Sequence, residues 1–210
     1  GGSAKQARNR EYQAILALRG KILNVASSTS DKMEQNKELS DLKKTLNCGT
    51  RDKFNIENLR YDKIIIMTDA DVDGAHITAL LLTFFFQEMI GLVEAGKLYL
   101  AQPPLYRITQ KDTSFYAMTD EDKDKIIKEN FKQNTKVDVS RFKGLGEMPA
   151  KQLKDTTMDV NNRTLIRVNL NRNIIPETAL FVENVMGKNP EKRLQFIKDK
   201  SQANEINFVD

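Results

Sequence analysis

The segment from Ile64 to Gly74 joins a short apolar run to three aspartates at alternate positions, and it constrains the fold more than any other part of the chain. Residues Ile64 to Met67 have a β-branched bias, which predicts a buried strand of a parallel sheet. Asp69, Asp71 and Asp73 then lie on the loop at the carboxyl end of that strand, where open α/β sheets bind their ligands. Two carboxylates about 4 Å apart repel by about 4 kcal/mol at an effective dielectric of about 20. The loop therefore requires a cation, or it must spread into water.

The elements predicted around this segment alternate between helices and strands, which is typical of an α/β protein. A basic helix is predicted from Ser3 to Leu16, with the Ser3 side chain as its cap. A long apolar helix is predicted from Gly74 to Ala95, directly after the acids. Pro103 and Pro104 interrupt a strand-like segment, because proline cannot donate a hydrogen bond to a sheet. The character of the chain then changes, and we place a domain boundary near residue 110.

The second half is predicted to contain shorter and more polar elements. Thr119 followed by Asp122 is a variant of the capping box and predicts the start of a charged helix that continues to Lys132. Pro176 and Pro190 each favour the first turn of a helix, because a proline there removes no helical hydrogen bond. Two helices are therefore expected at the end of this sequence.

Composition and charge exclude several classes of protein. The 210 residues are 40% apolar, which is enough for compact domains with buried cores, and the formal net charge is +4. Five basic side chains and one acidic side chain lie between Gly1 and Val25, so the positive excess is concentrated there. Cys48 is the single cysteine, which excludes an internal disulfide and fits a reducing cytoplasm. Polar residues interrupt the apolar segment Ile77 to Val93, and a membrane span needs about 20 apolar residues. We expect a cytoplasmic protein with no membrane partner.

Three interpretations of the acidic segment follow from the residues alone. A calcium-binding EF-hand begins with the same pattern but requires a glutamate at its twelfth position, which is Leu80 here. A phosphatase with an aspartyl nucleophile would carry Thr or Val where Asp73 stands. A structural acidic turn is the third interpretation, and a buried strand end beside three alternating acids makes it the weaker alternative to a cation site.

Five blocks of the sequence resemble the B subunit of bacterial type IIA topoisomerases. The blocks are Gly1–Arg8, Gly20–Val25, Asp69–Ile77, Gln102–Tyr106 and Arg141–Met148. The resemblance implies an α/β fold with a Toprim-type, Rossmann-like parallel sheet flanked by helices in residues 1–110. It also implies a smaller α+β tail domain in residues 111–210. Within this family, the segments Gln87–Met89 and Met186–Pro190 favour topoisomerase IV over gyrase.

The resemblance assigns the three aspartates to a metal site for DNA cleavage and religation. By the family pattern Asp69 bridges two metal positions, Asp71 holds the second metal, and Asp73 supports them. Magnesium is the expected cofactor, and Mn²⁺ or Ca²⁺ could substitute for it. Magnesium prefers one or two carboxylates, with waters and substrate phosphate completing its coordination, so a sparse set of acids suits it.

The resemblance also implies double-stranded DNA as a partner. Lys21 and Asn24 match positions where the family contacts DNA near the cut, and Arg19 belongs to the same basic segment. His76 is a candidate phosphate contact near a helix N-terminus, and a capping or packing role is the equal alternative for it. Lys143, beside two glycines, is expected to follow the DNA backbone, and a solvated turn is its alternative.

Other parts of the implied machinery are expected outside these 210 residues. In the family a Glu-Gly-Asp-Ser-Ala segment precedes the block that begins at Gly1, and its glutamate is the general acid/base, so no catalytic residue is assigned here. The nucleophilic tyrosine belongs to the A subunit of an A2B2 assembly, and ATP binds in an upstream domain. The whole enzyme relaxes supercoils and decatenates chromosomes. We expect this chain to be inactive alone, and a non-catalytic module for DNA binding or assembly of the enzyme is the alternative function.

Overall fold

The computed structural model describes residues 1–131 and 136–206, and it describes side chains as far as residue 201. The chain forms two compact units, each built from three separated segments. The first, called the sheet unit, contains the described residues of Gly1–Arg19, Lys63–Thr78 and Leu98–Val168. The second, called the helical unit, contains the described residues of Gly20–Asp62, Ala79–Lys97 and Asn169–Asp210.

Six strands of the sheet unit form two three-stranded sheets, one ordered β1-β2-β6 and the other β4-β3-β5. The strands are β1 Ile64–Ile66, β2 Leu98–Ala101, β3 Tyr106–Gln110, β4 Thr113–Ala117, β5 Asp138–Arg141 and β6 Leu165–Arg167. β1 runs parallel to β2, with Ile65 opposite Tyr99, and β6 pairs with the other edge of β2 in the antiparallel direction. The predicted parallel strand is therefore confirmed, in a sheet that also carries one antiparallel strand.

The second sheet is an antiparallel hairpin extended by β5. β3 pairs with β4 on one side and with β5 on the other. Its small core contains Tyr106, Ile108 and Ala117, and the rings of Phe115 and Phe131 meet edge to face at 5.5 Å. β2 and β3 belong to different sheets, which confirms the strand break predicted at the two prolines.

Nine helices of the described residues carry α labels, and a π-helical turn Lys154–Met158 continues the seventh. They are α1 Gly2–Ala7, α2 Ser30–Gln35, α3 Lys37–Leu46, α4 Val72–Glu88, α5 Ile90–Glu94, α6 Asp120–Asn130, α7 Ala150–Leu153, α8 Ile175–Met186 and α9 Pro190–Ile206. None of the helices in these two described stretches is long and apolar enough to cross a membrane. The two helices expected at the end of the sequence are confirmed as α8 and α9.

The basic helix predicted from Ser3 to Leu16 is wrong in both its cap and its length. Its N-cap position is Gly1, which provides no side-chain hydrogen bond, and the helix ends at Ala7 because Arg8 adopts an extended conformation. Beyond it, the Gln13 side chain accepts from the Asn9 backbone N–H at 2.9 Å, and the Gln13 N–H donates to the Asn9 carbonyl. These local hydrogen bonds satisfy the backbone without a helix.

The long apolar helix is divided into α4 and α5 by Met89. This residue adopts φ −141° and ψ 46°, and its side chain is fully buried. Just before it, the buried Glu88 carboxylate accepts from Nε and Nη2 of Arg51 at 2.9 and 2.6 Å. Tertiary packing at Met89 and an ion pair with a buried carboxylate thus override the continuous apolar pattern that predicted one helix.

The N-terminus of α6 is confirmed, because the Thr119 hydroxyl accepts from the Asp122 N–H at 3.1 Å. The helix ends at Asn130 because Phe131 adopts an extended conformation, so it is shorter than predicted. Lys132, its predicted end, lies outside the described residues. In its first turn, Asp120 accepts from the Tyr106 hydroxyl at 2.7 Å and from Lys123 Nζ at 2.9 Å. These two hydrogen bonds, that from Tyr106 first, hold the pKa of Asp120 below its ordinary value.

Candidate metal and DNA site

The three aspartates lie in the sheet unit on residues 68–74, and this segment is called the acid loop. It follows β1 and includes the first residues of α4. All three are exposed, whereas Gly74 is buried. A Cβ atom on Gly74 would lie 1.9 Å from the carbonyl oxygen of Asp69. The start of α4 therefore packs directly on the Asp69 backbone, and only glycine permits that approach.

Asp71 is the residue that caps α4. Its Oδ1 accepts from the Gly74 N–H at 2.7 Å, and its carbonyl oxygen accepts from the Ala75 N–H at 3.0 Å. Asp73 lies in the first helical turn, where a negative charge is stabilised by the helix dipole. Asp71 therefore has the structural role that was the third interpretation of the acidic segment. Its carboxylate has a second oxygen that a cation could bind.

The Asp69 carboxylate is held by a distant segment. Its Oδ1 accepts from the backbone N–H of Leu145 at 2.7 Å, across a separation of 76 residues. Leu145 belongs to the segment Lys143–Glu147, called the glycine loop, which the Lys143 N–H closes by donating to Glu147 Oε2 at 3.0 Å. A Cβ atom on Gly144 would lie 3.1 Å from Cγ and Oδ1 of Asp69, so the loop backbone lies against this carboxylate.

A second pair of hydrogen bonds braces the acid loop. The Thr68 and Thr78 hydroxyl oxygens lie 2.8 Å apart, and the Thr78 hydroxyl donates to the Gly74 carbonyl at 3.0 Å. Thr68 precedes the acids and Thr78 lies on α4, so these contacts fix the strand end to the helix that follows it. The acid loop is therefore a braced turn, although its carboxylates face solvent.

The donor set fits Mg²⁺. It consists of carboxylate oxygens, and Mg²⁺ is held in proteins by one or two carboxylates, with waters and phosphate completing its octahedron. Within the part of the chain that the structure describes, no three His, Cys, Asp or Glu side chains form a group that could hold a metal ion. Ligation of Mg²⁺ by Asp69 and Asp71 stays a prediction, and the chemistry of their carboxylates suits it.

The predicted DNA-contacting residues are divided between the two units. Arg19, His76 and Lys143 belong to the sheet unit, as the acids do, and all three are exposed. His76 lies on α4, five residues beyond the capping residue, and Lys143 begins the glycine loop. Lys21 and Asn24 belong to the helical unit, where Lys21 is exposed and Asn24 is half-buried.

Asn24 makes structural hydrogen bonds within the helical unit. Its Oδ1 accepts from the Ala26 N–H at 3.1 Å and caps a short 3₁₀ helix, while its Nδ2 donates to the Met186 carbonyl at 2.8 Å. Its own carbonyl accepts from the Ser28 hydroxyl at 2.7 Å. Asn24 therefore joins its loop to the end of α8, and its contact with DNA stays a prediction.

The sequence reasoning missed the contribution of Gly144 and Leu145. It predicted that Lys143, beside the two glycines, follows the DNA backbone, which stays a prediction. The structure adds that the loop provides a backbone donor to Asp69. A glycine on each side of Leu145 was the available signal, because paired glycines often mark a close approach of two backbone segments. That signal did not identify the approaching residue.

Comparison with known proteins gives two family matches that together cover most of the chain. The Toprim domain family matches residues 1–103, and the family described as the DNA gyrase B subunit, carboxyl terminus, matches residues 134–198. The predicted fold class, with its Toprim domain, is confirmed. The domain boundary predicted near residue 110 stays a prediction.

Longer relatives are similar to almost the entire chain. It is 57% identical over 201 residues to the B subunit of DNA topoisomerase 4 from Bartonella bacilliformis, covering 96% of this chain and 29% of the relative. The chain is 54% identical over 202 residues to the corresponding protein of Rickettsia bellii, covering 96% of this chain and 30% of that relative. It is 46% identical over 202 residues to the B subunit of DNA gyrase from Spiroplasma citri, covering 96% of this chain and 31% of that relative. The chain thus spans about three tenths of the length of these relatives. We conclude that it carries a Toprim domain and a gyrase B carboxyl-terminal domain, and that it belongs with the corresponding region of the B subunits of bacterial topoisomerase IV and gyrase.

Proposed function

We propose that this chain provides the Mg²⁺-binding and DNA-contacting part of an ATP-dependent type IIA topoisomerase. In that assembly an A subunit supplies the tyrosine that attacks DNA, and the enzyme cleaves and religates double-stranded DNA. The observation that carries the proposal is the acid loop, where exposed Asp69 and Asp71 follow a parallel strand and are each held by a backbone N–H at 2.7 Å. Its homology to B subunits over 96% of the chain supports the same assignment.

Acidic and basic residues of the chain have different roles in this proposal. Asp69 and Asp71 would hold the divalent cation, and both are oriented by backbone donors on one carboxylate oxygen. When bound, the cation supplies positive charge that stabilises the scissile phosphate and the leaving oxygen. Exposed side chains bind the DNA phosphates, and those of the sheet unit are Arg19, His76 and Lys143.

Topoisomerase IV is the member of the family that we propose. The identity of 57% and 54% to the B subunits of two topoisomerase 4 enzymes, against 46% to that of a gyrase, supports this choice. The segments Gln87–Met89 and Met186–Pro190, noted from the sequence, favour the same member. Decatenation by the assembled enzyme is therefore the expected reaction, and negative supercoiling of relaxed DNA in the presence of ATP would contradict this choice.

The experiment replaces Asp69 with Asn in a B subunit that contains this chain, assembled with its A subunit. We expect Mg²⁺-dependent DNA cleavage to fall roughly 100-fold, because the charge stabilisation that a metal provides is worth several kcal/mol. DNA affinity and the unfolding midpoint should stay unchanged, since an exposed Asn is nearly isosteric with Asp. Asp112→Asn is the matched control, because Asp112 is an exposed carboxylate on the turn between β3 and β4.

The second candidate is a module for DNA binding or assembly of the enzyme, which the five basic residues between Gly1 and Val25 favour. Normal cleavage by the Asp69→Asn enzyme would support this candidate and contradict the metal site. Binding of the chain to double-stranded DNA should weaken steeply with salt if the basic segment neutralises phosphates. Salt-independent binding would argue against a role for that segment.

A further inference from the structure

The contact between Asp69 and the glycine loop joins the two family matches. Asp69 lies in residues 1–103, matched by the Toprim domain, and Leu145 lies in residues 134–198, matched by the gyrase B carboxyl terminus. The Leu145 N–H donates to Asp69 Oδ1 at 2.7 Å, and both residues belong to the sheet unit. A carboxylate of the first family is therefore held by the backbone of the second.

We propose that Gly144 and Leu145 are positioning residues for the Asp69 carboxylate, so that divalent-cation affinity at the acid loop depends on the glycine loop. This inference rests on the proposed function, because it takes Asp69 as a metal ligand. It goes further by making the Toprim metal site depend on a segment of the gyrase B carboxyl-terminal family.

The hydrogen bond from Leu145 restricts an otherwise mobile side chain. Asp69 is exposed, and an exposed aspartate samples several rotamers unless a partner selects one. A donor on Oδ1 fixes the plane of the carboxylate and leaves Oδ2 to face a cation. Groups that orient a metal ligand in this way commonly change metal affinity by about 10-fold to 100-fold when they are altered.

The donor is a neutral backbone group, which matters for cation binding. A lysine or arginine in the same place would orient Asp69 equally well, but its positive charge would compete with the metal for the carboxylate. The Leu145 N–H orients the carboxylate and leaves its full negative charge in place. A neutral backbone donor thus suits a carboxylate whose charge is to be balanced by a metal ion.

A side chain at Gly144 would crowd the Asp69 carboxylate. The Gly144 backbone has φ −165°, an extended conformation that any residue adopts, so conformational freedom does not explain the glycine. A Cβ atom there would lie 3.1 Å from Cγ and Oδ1 of Asp69 and 3.2 Å from Oδ2. The carboxylate would have to move by a few tenths of an ångström, which would perturb its hydrogen bond with the Leu145 N–H. Gly146, two residues later, has no atom within 4 Å of the same added Cβ.

The glycine loop is anchored firmly enough to impose this geometry. The Lys143 N–H donates to the Glu147 carboxylate, and the Glu147 N–H donates to the Gly144 carbonyl at 3.1 Å. The next residue, Met148, is only 2% exposed and packs in a core cluster with Ala4 and Ala7 of α1. The loop is thus closed on itself and fixed to the core at its end.

The test is a titration of the 210-residue chain with Mn²⁺ alone, in which the electron paramagnetic resonance signal of free Mn²⁺ gives the dissociation constant. Wild type is compared with Asp69→Ala, Gly144→Ala and the matched control Gly146→Ala. We expect Gly144→Ala to weaken binding about tenfold and Asp69→Ala to weaken it at least as much. Gly146→Ala should stay within about twofold of wild type, because its added methyl group meets nothing.

The outcomes separate this inference from the function on which it rests. If Asp69→Ala binds Mn²⁺ as wild type does, the proposed metal site is wrong and the positioning role is wrong with it. If Asp69→Ala weakens binding but Gly144→Ala matches Gly146→Ala, only the positioning role is wrong. Circular dichroism and the unfolding midpoint of each variant establish that it is folded before its affinity is interpreted.

A second measurement keeps the inference testable if Gly144→Ala does not fold. The amide proton of Leu145 should resonate downfield in wild type, because it is bonded to a carboxylate, and should move upfield in Asp69→Ala. The amide of Gly146 serves as the internal reference. An unchanged Leu145 resonance would overturn the positioning role whatever happens to the glycine variant.

Discussion

The acid loop contains two similar carboxylates with different kinds of support. Asp69 lies near its start, and Asp71 caps α4 at what is called the other end. Asp69 and Asp71 are both exposed, and each accepts a backbone N–H at 2.7 Å. The donor to Asp71 is three residues away, at the start of the helix that Asp71 caps. The donor to Asp69 is 76 residues away, in the glycine loop. One carboxylate is therefore fixed by local structure, and the other by tertiary structure.

The hydrogen bonds of the two carboxylates therefore depend on different parts of the fold. The Asp71 bond forms whenever α4 begins at Val72, so it depends on the helix alone. The Asp69 bond exists only if the glycine loop reaches the acid loop, so it depends on the fold of a segment outside the Toprim match. Perturbing the two ends separately should therefore give separable effects on stability and on cation binding.

The largest effect on stability is expected from Gly74→Ala, because this variant disturbs the surroundings of both Asp69 and Asp71. Its Cβ would lie 1.9 Å from the Asp69 carbonyl oxygen, and backbone atoms cannot rotate away. Overpacking of this kind typically costs about 1–3 kcal/mol, and we expect a loss of about 3 kcal/mol in the free energy of unfolding. Urea denaturation measures it, with Gly146→Ala as the control that should lose almost nothing. A Gly74→Ala variant as stable as that control would contradict the close approach.

The next effect is the loss of the helix cap in Asp71→Ala. Removing an N-cap carboxylate costs about 1 kcal/mol, and Asn caps a helix as well as Asp does. We therefore expect Asp71→Ala to unfold at lower urea and Asp71→Asn to stay within a few tenths of a kcal/mol of wild type. An equal loss in both variants would show that the charge, and not the cap, stabilises this end.

A smaller effect on stability is expected from Asp69→Ala. Its hydrogen bond to Leu145 lies at an exposed carboxylate, and a net contribution of about 0.5 kcal/mol is the usual lower value for one hydrogen bond. For cation affinity the order of the two variants should reverse. Asp69→Ala should have the larger effect there, because Asp69 is the carboxylate that the glycine loop orients. A loss of stability larger than that of Asp71→Ala would mean that the contact serves the fold before the site.

The smallest effect is expected at Asp120, a carboxylate outside the acid loop that serves as a reference. Hydrogen bonds from Tyr106 and Lys123 lower its pKa in the folded chain. Its stabilisation is therefore complete above the unfolded pKa, about 3.9, and is lost as the pH falls through the lower folded pKa. Urea midpoints of wild type and Asp120→Asn should differ at about pH 5 and converge toward about pH 2. Parallel curves would contradict the lowered pKa.

Local patterns in the sequence predicted the features that local physics determines. The apolar run with acids after it predicted β1 and the acid loop, and Thr119 with Asp122 predicted the start of α6. The two prolines predicted the break between β2 and β3. Each of these depends on residues within a few positions of one another, so the sequence contains the relevant information directly.

Features that depend on tertiary contacts were predicted incorrectly or not at all. The long apolar helix is divided at the buried Met89, although the apolar pattern continues through that residue. The glycine loop was recognised as a motif, but its contact with Asp69 was not, because a spacing of 76 residues has no local signature. The metal and DNA roles came from the resemblance, and for individual residues they stay proposals.

The most direct test of the central claim, that Asp69 binds a divalent cation while the glycine loop holds it, is paramagnetic broadening in the isotope-labelled chain. Substoichiometric Mn²⁺ is added, and the amide signals of Leu145, Asp69 and Asp112 are followed. We predict that the Leu145 and Asp69 signals vanish together in wild type, that Asp112 stays sharp, and that all three persist in Asp69→Asn. A Leu145 signal that stays sharp while others vanish, or equal broadening in Asp69→Asn, would contradict the claim.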